Sequence, residues 1–222
     1  MNGRSFARFV TAVVAALATL PALAAGSASV AEVVFDSRPF AAVTSPQTLV
    51  YRYRLHAGTM AEDYVGEARM EIREVRPDGS KLVWFDMFDG PNHRNFGPVP
   101  ASDQNPMVLV FLQRDVTAMA NLTGGAAGYF QQQIRRAFTS PGTVEQLTVR
   151  WNGREYEARR VVLQPFANDP QVERFPKFRG KTYEFVMAPG IPGGIWQLST
   201  RVPGPDGAPF IEETLTFEAV RP

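Results

Sequence analysis

Two histidines and several aspartates are the residues of this chain best suited to acid–base or metal chemistry. His93 follows Asp86 and Asp89 closely, at a predicted strand end and the start of a loop. An aspartate–histidine cluster can bind a metal ion or form an acid–base pair. One hypothesis is therefore a hydrolase or metal-dependent enzyme centred on these three residues. The spacing matches no zinc motif, however, and aspartates beside glycine and proline are ordinary turn residues.

No other pattern in the chain supports catalysis. The sequence contains no Gly-X-Ser-X-Gly, Ser-X-X-Lys or His-Glu-X-X-His motif, the patterns that supply a serine nucleophile or paired zinc ligands. The glycines from Gly124 to Gly128 lack the lysine of a phosphate loop, so we interpret them as a close-packed turn. We predict no catalytic residue, no metal and no cofactor. The sequence favours a non-enzymatic protein and leaves the question of activity open.

The first 24 residues have the pattern of a secretory signal peptide. Arg4 and Arg8 precede the apolar run Val10 to Leu20, and Ala22-Leu23-Ala24 forms a small-residue cleavage pattern. The run is shorter than the roughly 20 apolar residues that span a membrane, and no later stretch approaches that length. We therefore predict cleavage near Ala24, a periplasmic location and no transmembrane segment in the mature chain.

Composition excludes further classes of function. The chain has no cysteine, so disulfides and thiolate metal sites are ruled out. The formal net charge of the whole chain is +1, and it becomes slightly negative once Arg4 and Arg8 are removed. We predict no nucleic-acid partner, because nucleic-acid binding depends on neutralising phosphates with a basic surface.

The region 105–139 is the one long stretch with a helical rhythm. Asn105 is a candidate N-cap and Pro106 suits the first helical position. The six apolar residues Met107–Leu112 predict a helix buried on all sides. After a break at Thr123-Gly124-Gly125, apolar residues from Ala126 to Phe138 recur at helical spacing and predict a second, amphipathic helix.

Strand patterns lie on both sides of this helical insert. Alternation of apolar and charged residues predicts three antiparallel strands between Thr48 and Phe88, and Asn152-Gly153 predicts a tight hairpin. Three more strands are predicted at 181–187, 195–202 and 209–219. We interpret 25–47 as a leader with at most one short edge strand, at Val33-Val34-Phe35, and 90–104 as a loop.

This order of elements predicts an α+β fold with one large curved antiparallel sheet of about eight strands. A central helical pair covers one face of the sheet. Residues 48–222 form a single β-rich domain, with the helical insert at 105–139.

Aromatic bulk is the most suggestive functional feature. The chain has 16 phenylalanines, six tyrosines and three tryptophans, which fall mainly on one face of each predicted element. A sheet lined in this way closes as a solid core or leaves an apolar cavity. Should a cavity exist, the predicted ligand-binding residues are Tyr51, Tyr53, Trp84, Phe111, Phe130 and Ile134.

A signal peptide, a sheet built from both ends of the chain, a central helical segment and aromatic strand faces resemble the periplasmic lipoprotein-carrier (Lol-type) half-barrels. The resemblance implies binding of an acyl chain or other apolar ligand between sheet and helices. It rests on the order of elements and not on a shared motif. The segment from Phe111 to Val116, with Thr123-Gly124-Gly125 and Tyr129-Phe130, also resembles a signature of uncharacterised exported bacterial proteins.

Two main hypotheses follow for function. The first is a soluble periplasmic binding or carrier module for an apolar or amphipathic, lipid-like ligand. The second is a structural or interaction protein of the cell envelope, with a solid core and a protein partner. The enzyme centred on Asp86, Asp89 and His93 is the third.

Overall fold

The computed structural model describes residues 29–35, 38–41, 43–102 and 104–222. The predicted signal peptide lies outside the described residues. The helices are α1 (Val30–Phe35), α2 (Pro106–Thr123) and α3 (Ala127–Thr139). The strands are β1 (Gln47–Ala57), β2 (Tyr64–Val75), β3 (Lys81–Met87), β4 (Arg94–Ala101), β5 (Val144–Trp151), β6 (Arg154–Leu163), β7 (Thr182–Met187), β8 (Ile195–Pro203) and β9 (Pro209–Arg221). Short 3-10 turns occur at Gly90–Asn92, Val172–Arg174 and Pro176–Phe178.

These strands form one antiparallel sheet in the order β4-β3-β2-β1-β9-β8-β7-β6-β5. β1 pairs with β2 on one side and with β9 on the other. The last strand of the chain therefore joins the part of the sheet before the helices to the part after them. The predicted α+β class, with a single large antiparallel sheet, is confirmed.

The two faces of the sheet differ sharply in chemistry. Along β1, Leu49, Tyr51 and Tyr53 are buried, while Arg52 and Arg54 are exposed. Successive side chains of a strand point to opposite faces, so one face is apolar and the other charged. The apolar face packs beneath α2 and α3. The charged face, which we call the outer face, points away from these helices.

The start and end of α2 follow the predicted signals. The Asn105 side chain accepts a hydrogen bond from the Met107 backbone N–H at 2.9 Å, and it also donates to the Gly193 carbonyl at 2.7 Å. Gly124 ends the helix with a left-handed φ of 67°, a conformation that glycine adopts without strain. The predicted break between the two helices is confirmed.

The prediction that Met107–Leu112 is buried on all sides is wrong. Leu109 is 50% exposed and Val110 is only partly buried. The reason is that α2 packs on the sheet along one face, and no described element covers its opposite face at Leu109. An unbroken apolar run does not show which of its residues are covered by other elements of the fold.

The segment predicted as a short edge strand, Val33-Val34-Phe35, is helical instead. α1 begins with a capping box: the Glu32 N–H donates to Ser29 Oγ at 3.2 Å, and the Ser29 N–H donates to Glu32 Oε2 at 2.6 Å. This reciprocal pair fixes the first turn of a helix. The valines then face the core, with Val33 and Val34 each 1% exposed.

The predicted loop 90–104 contains an additional strand, so the sheet has nine strands within the described part of the chain. β4 lies at the edge and pairs with β3 alone. Proline cannot donate a ladder hydrogen bond, but an edge strand leaves one side unpaired and therefore accepts Pro98 and Pro100. By contrast, the Asn152-Gly153 hairpin is confirmed, since both residues have positive φ, 48° and 76°.

Candidate functional site

A row of buried polar side chains crosses the sheet beneath α2. Glu213 on β9 pairs with Thr200 on β8, and Thr200 pairs with Tyr183 on β7. Their exposed fractions are 4%, 2% and 0%. Buried polar groups are stable only when hydrogen-bonded or paired with opposite charge, so this row requires partners from the helix above it.

α2 supplies such a partner in Asp115. Its Oδ1 accepts from the Lys181 ammonium, and its Oδ2 accepts from the Tyr183 hydroxyl at 2.6 Å. The side chains of Lys181 and Asp115 are only 2% and 3% exposed. Burial raises the pKa of Tyr183 well above its ordinary value, so its hydroxyl keeps its proton and remains a donor. The middle of α2 is thereby fixed to the start of β7.

Arg114 and Glu213 form a looser contact beside this network. Arg114 Nε lies 3.9 Å from Glu213 Oε2, too far for a hydrogen bond, and neither atom has another hydrogen-bond partner among the described residues. Burial raises the pKa of Glu213, although the positive charges of Arg114 and Lys181 act in the opposite direction. The carboxyl is therefore biased towards its neutral form.

The Arg114 guanidinium lies on an aromatic surface at the edge of the core. Its central carbon is 4.8 Å from the ring centre of Tyr53 and 5.3 Å from that of Phe88. Nη2 donates to the Tyr53 hydroxyl, and the side chain is 30% exposed. The charge is thus held in place while one side of it still reaches solvent.

Arg114 borders an open groove between α2 and the β1–β4 half of the sheet, which we call the α2 seam. Two contiguous cavities of about 490 and 420 Å³ make up the seam. Both are lined by Phe88, Arg94, Gln113 and Arg114. The other lining residues are Leu55, Met60, Tyr64, Met87, Asn92, Phe96, Leu109, Val110, Thr117, Ala118 and Asn121.

Phe88, which lines both parts of the seam, has a strained backbone. Its φ is 63°, a left-handed conformation that costs a non-glycine residue on the order of 1–3 kcal/mol. The Phe88 N–H donates to the Glu67 carbonyl at 2.7 Å, and its ring lies 4.6 Å from that of Tyr53. Strain of this kind clusters at functional sites, which is a second indication that the seam has a function.

A separate groove of about 550 Å³ lies among α1, α2 and α3. We call it the helix groove. Its apolar lining includes Leu112, Val116 and Ile134, and its one arginine is Arg135. Leu109 and Gln113 border both the helix groove and the α2 seam.

The predicted ligand-binding residues do not gather around one cavity. Tyr51, Tyr53, Phe111 and Phe130 are 3% exposed or less and fill the space between sheet and helices. Phe130, for example, packs against the rings of Phe166 and Phe175 at 6.0 and 5.4 Å.

The other two predicted residues lie elsewhere. Ile134 is buried and borders the helix groove. Trp84 lies on the outer face, with the Arg73 guanidinium 4.9 Å from its ring centre. Of the six predicted residues, Tyr53 is the one that contacts the seam, through Arg114.

Sequence reasoning did not identify the charged residues of this region. The available signals were Arg114-Asp115 within an otherwise apolar helix, and Glu213 in phase with the apolar residues of β9. Each departs from the pattern around it, and a polar residue at a core position marks a site that requires a partner.

The candidate enzyme residues form a pair on the outer face. His93 Nε2 lies 2.7 Å from Asp86 Oδ1, and Arg69 donates to Asp86 Oδ2 at 2.8 Å. Burial alone would raise the pKa of Asp86, but the hydrogen bond from His93 and the charge of Arg69 outweigh it and lower that pKa. Asp89 is exposed and does not join them. Within the described ranges, no group of three or more histidine or acidic side chains is placed to hold a metal ion.

These features define a nine-stranded antiparallel sheet with a helical cover and an apolar, arginine-bearing seam at its margin. Among the described residues, no helix is long and apolar enough to cross a membrane. No family model and no curated protein sequence matches the chain.

Solved structures that are similar to the chain include the following two. The lipoprotein LppX of Mycobacterium tuberculosis matches at 8% identity and a TM-score of 0.35, over 83% of this chain and 91% of that protein. A LolA-superfamily protein of Nitrosomonas europaea matches at 11% identity and a TM-score of 0.25, over 86% and 88%. Both matches are at low identity and low TM-score, so neither carries an argument about the family, ligand or activity of this chain.

Replacing Lys181 with methionine should strongly destabilise the protein. The substitution leaves the Asp115 carboxylate buried with one neutral donor, and breaking a buried pair in this way costs about 3–5 kcal/mol. Arg179→Met is the matched control, because Arg179 pairs with Glu173 at the surface, where the two side chains are 50% and 77% exposed; it should cost about 1 kcal/mol or less. Urea denaturation measures both. Equal losses would show that the Asp115–Lys181 pair does not secure α2.

Glu213→Gln should change how stability depends on pH. Folding raises the pKa of Glu213 above its ordinary value of 4.5. The contribution of this group to the free energy of unfolding is therefore fully present below pH 4.5, and it is lost as the pH rises through the folded-state pKa. The variant has no carboxyl to ionise and should gain stability relative to wild type over that rise. Denaturation midpoints across the acidic to neutral range measure the difference, with Glu218→Gln on the same strand correcting for net charge. A constant difference at every pH would contradict the buried-carboxyl assignment.

Proposed function

We propose that this protein is an exported binding or carrier module that holds an apolar or amphipathic, lipid-like ligand in the α2 seam. The observation that carries the proposal is the set of apolar side chains left open to solvent there. Met60 and Phe96 are each 40% exposed and Leu109 is 50% exposed. Large apolar side chains that line a groove together mark a binding surface, whereas single exposed ones do not.

The size of the seam supports this function. Its two parts, of about 490 and 420 Å³, lie within the roughly 300–1,000 Å³ typical of small-molecule sites. The interior between sheet and helices is filled by Tyr51, Phe111 and Phe130, so a bound chain would lie at the margin of the core and not within it. The site we propose is therefore displaced from the one that the sequence suggested.

The proposed location rests on the sequence. The segment 1–24 has the pattern of a signal peptide, and a cysteine-free chain needs no disulfide in an oxidising compartment. A carrier that works between membranes requires an open site from which a ligand can both enter and leave. The seam, which opens to solvent along one side of α2, meets that requirement.

Leu109→Gln should weaken binding of an apolar fluorescent probe. Leu109 borders the seam, whereas Leu122, 64% exposed on the same helix, lines neither part of it, so Leu122→Gln is a matched control. Removing one apolar side chain from the contact should cost about 1–3 kcal/mol of binding, or roughly 5- to 150-fold in Kd, with little change in stability.

Phe96→Ser distinguishes probe binding in the seam from probe binding in the helix groove, because Phe96 borders the seam and not the helix groove. The probe's Kd should rise for Leu109→Gln and Phe96→Ser and stay unchanged for Leu122→Gln. Failure of the wild type to bind any apolar probe would overturn the proposal and favour an interaction protein with a solid core. A protein partner that co-purifies at the same surface would point the same way.

A further inference from the structure

The α2 seam has an unusual charge pattern for an apolar groove. Its lining includes two arginines, Arg94 and Arg114, and none of the described residues that line it is acidic. On the outer face, by contrast, arginines have carboxylate partners, such as Arg54 with Asp63 and Arg221 with Glu67. The seam therefore combines apolar surface with two arginines that, among the described residues, hydrogen-bond to no carboxylate.

Arg114 is held in place without a hydrogen bond to a carboxylate among the described residues. Stacking on Tyr53 and Phe88 and the bond from Nη2 to the Tyr53 hydroxyl fix its guanidinium. Among the described residues, its Nη1 makes no hydrogen bond within the chain. Its nearest carboxyl, on Glu213, stays at 3.9 Å, beyond hydrogen-bond distance. A guanidinium in this state retains capacity for an external anion.

Arg94 is oriented in a similar way from the other wall of the seam. Its Nη1 donates to the His93 carbonyl at 2.6 Å and to the Pro91 carbonyl at 3.3 Å. These bonds hold the side chain but leave its charge intact, and no described carboxylate lies within 4.0 Å of it. Beside Arg94 and Arg114 lie Phe96 and Leu109, which continue the groove as apolar surface.

We propose that the seam binds a single-chain anionic amphiphile, with its carboxylate or phosphate head on Arg114 and Arg94 and its acyl chain along Phe96 and Leu109. Charge complementarity selects the head, and the modest volume of each part of the seam, about 490 and 420 Å³, favours one chain. This inference rests on the proposed function and specifies the chemical class of its ligand.

Three amphiphiles with the same acyl chain test the head group: palmitate, palmitoyl-lysophosphatidate and neutral monopalmitoylglycerol. Each is titrated below its micelle concentration against a neutral fluorescent probe bound to the full mature chain, and displacement gives Kd. The Kd of one or both anionic amphiphiles should be lower than that of the neutral one by a factor of about 10 or more. The reason is that hydrogen bonds to a charged group lower Kd by about that factor. The two anionic arms distinguish a fatty carboxylate from a phosphate head.

Arg94→Gln and Arg114→Gln should each weaken binding of the anionic amphiphiles more than binding of monopalmitoylglycerol, so the preference for an anionic head should fall. Arg94 is exposed and its side-chain hydrogen bonds go only to the Pro91 and His93 carbonyls, so its variant keeps the test valid even if Arg114→Gln folds poorly. Arg135→Gln, which removes an exposed arginine from the helix groove, is the matched control and should keep the full preference.

The outcomes separate the inference from the proposed function. Equal affinity of the wild type for all three amphiphiles would overturn the anionic head group and leave a lipid-binding seam in place. A preference unchanged in both Arg94→Gln and Arg114→Gln would overturn the assignment of the head group to these residues. If no amphiphile binds the protein or displaces the fluorescent probe, the inference and the proposed function are overturned together.

Discussion

The buried ion pair between Asp115 and Lys181 is the interaction on which the arrangement of this protein depends. Burying isolated charges costs free energy. Here that cost is offset by the attraction between the two charges and by the hydrogen bond from the Tyr183 hydroxyl. Asn105 adds a second anchor at the start of α2, through its bond to the Gly193 carbonyl. Two anchors along one helix fix both its position and its rotation on the sheet.

Fixed rotation explains the α2 seam. Consecutive helical residues point about 100° apart, so when Asp115 enters the buried network, its neighbour Arg114 is directed to the edge of the core. The same rotation leaves Leu109 open to solvent above the sheet margin. The strained backbone of Phe88 then places an aromatic ring beneath the guanidinium. A network of polar residues at core positions thus produces an amphipathic groove at the surface.

The features that could be predicted from the sequence depend on local interactions, and the features that were missed depend on residues far apart in the chain. The Asn105 cap and the Asn152-Gly153 turn depend on residues within a few positions, and both were correct. β4 was missed because proline argues against a strand unless the strand lies at an edge, which only the assembled sheet reveals. The seam was missed for a related reason, since Phe88, Arg94 and Arg114 come from separate elements that tertiary packing brings together. Polar residues at positions where the spacing predicts an apolar side chain were the one local sign of it.

The most direct test of the central claim is where an amphiphile contacts the protein. Methyl NMR spectra recorded with a spin-labelled fatty acid report this, because the label broadens signals from nearby groups. The account predicts broadening at Met60, Met87 and Val110, which line the α2 seam. Broadening confined to Val116 and Ile134, which line the helix groove, would contradict it.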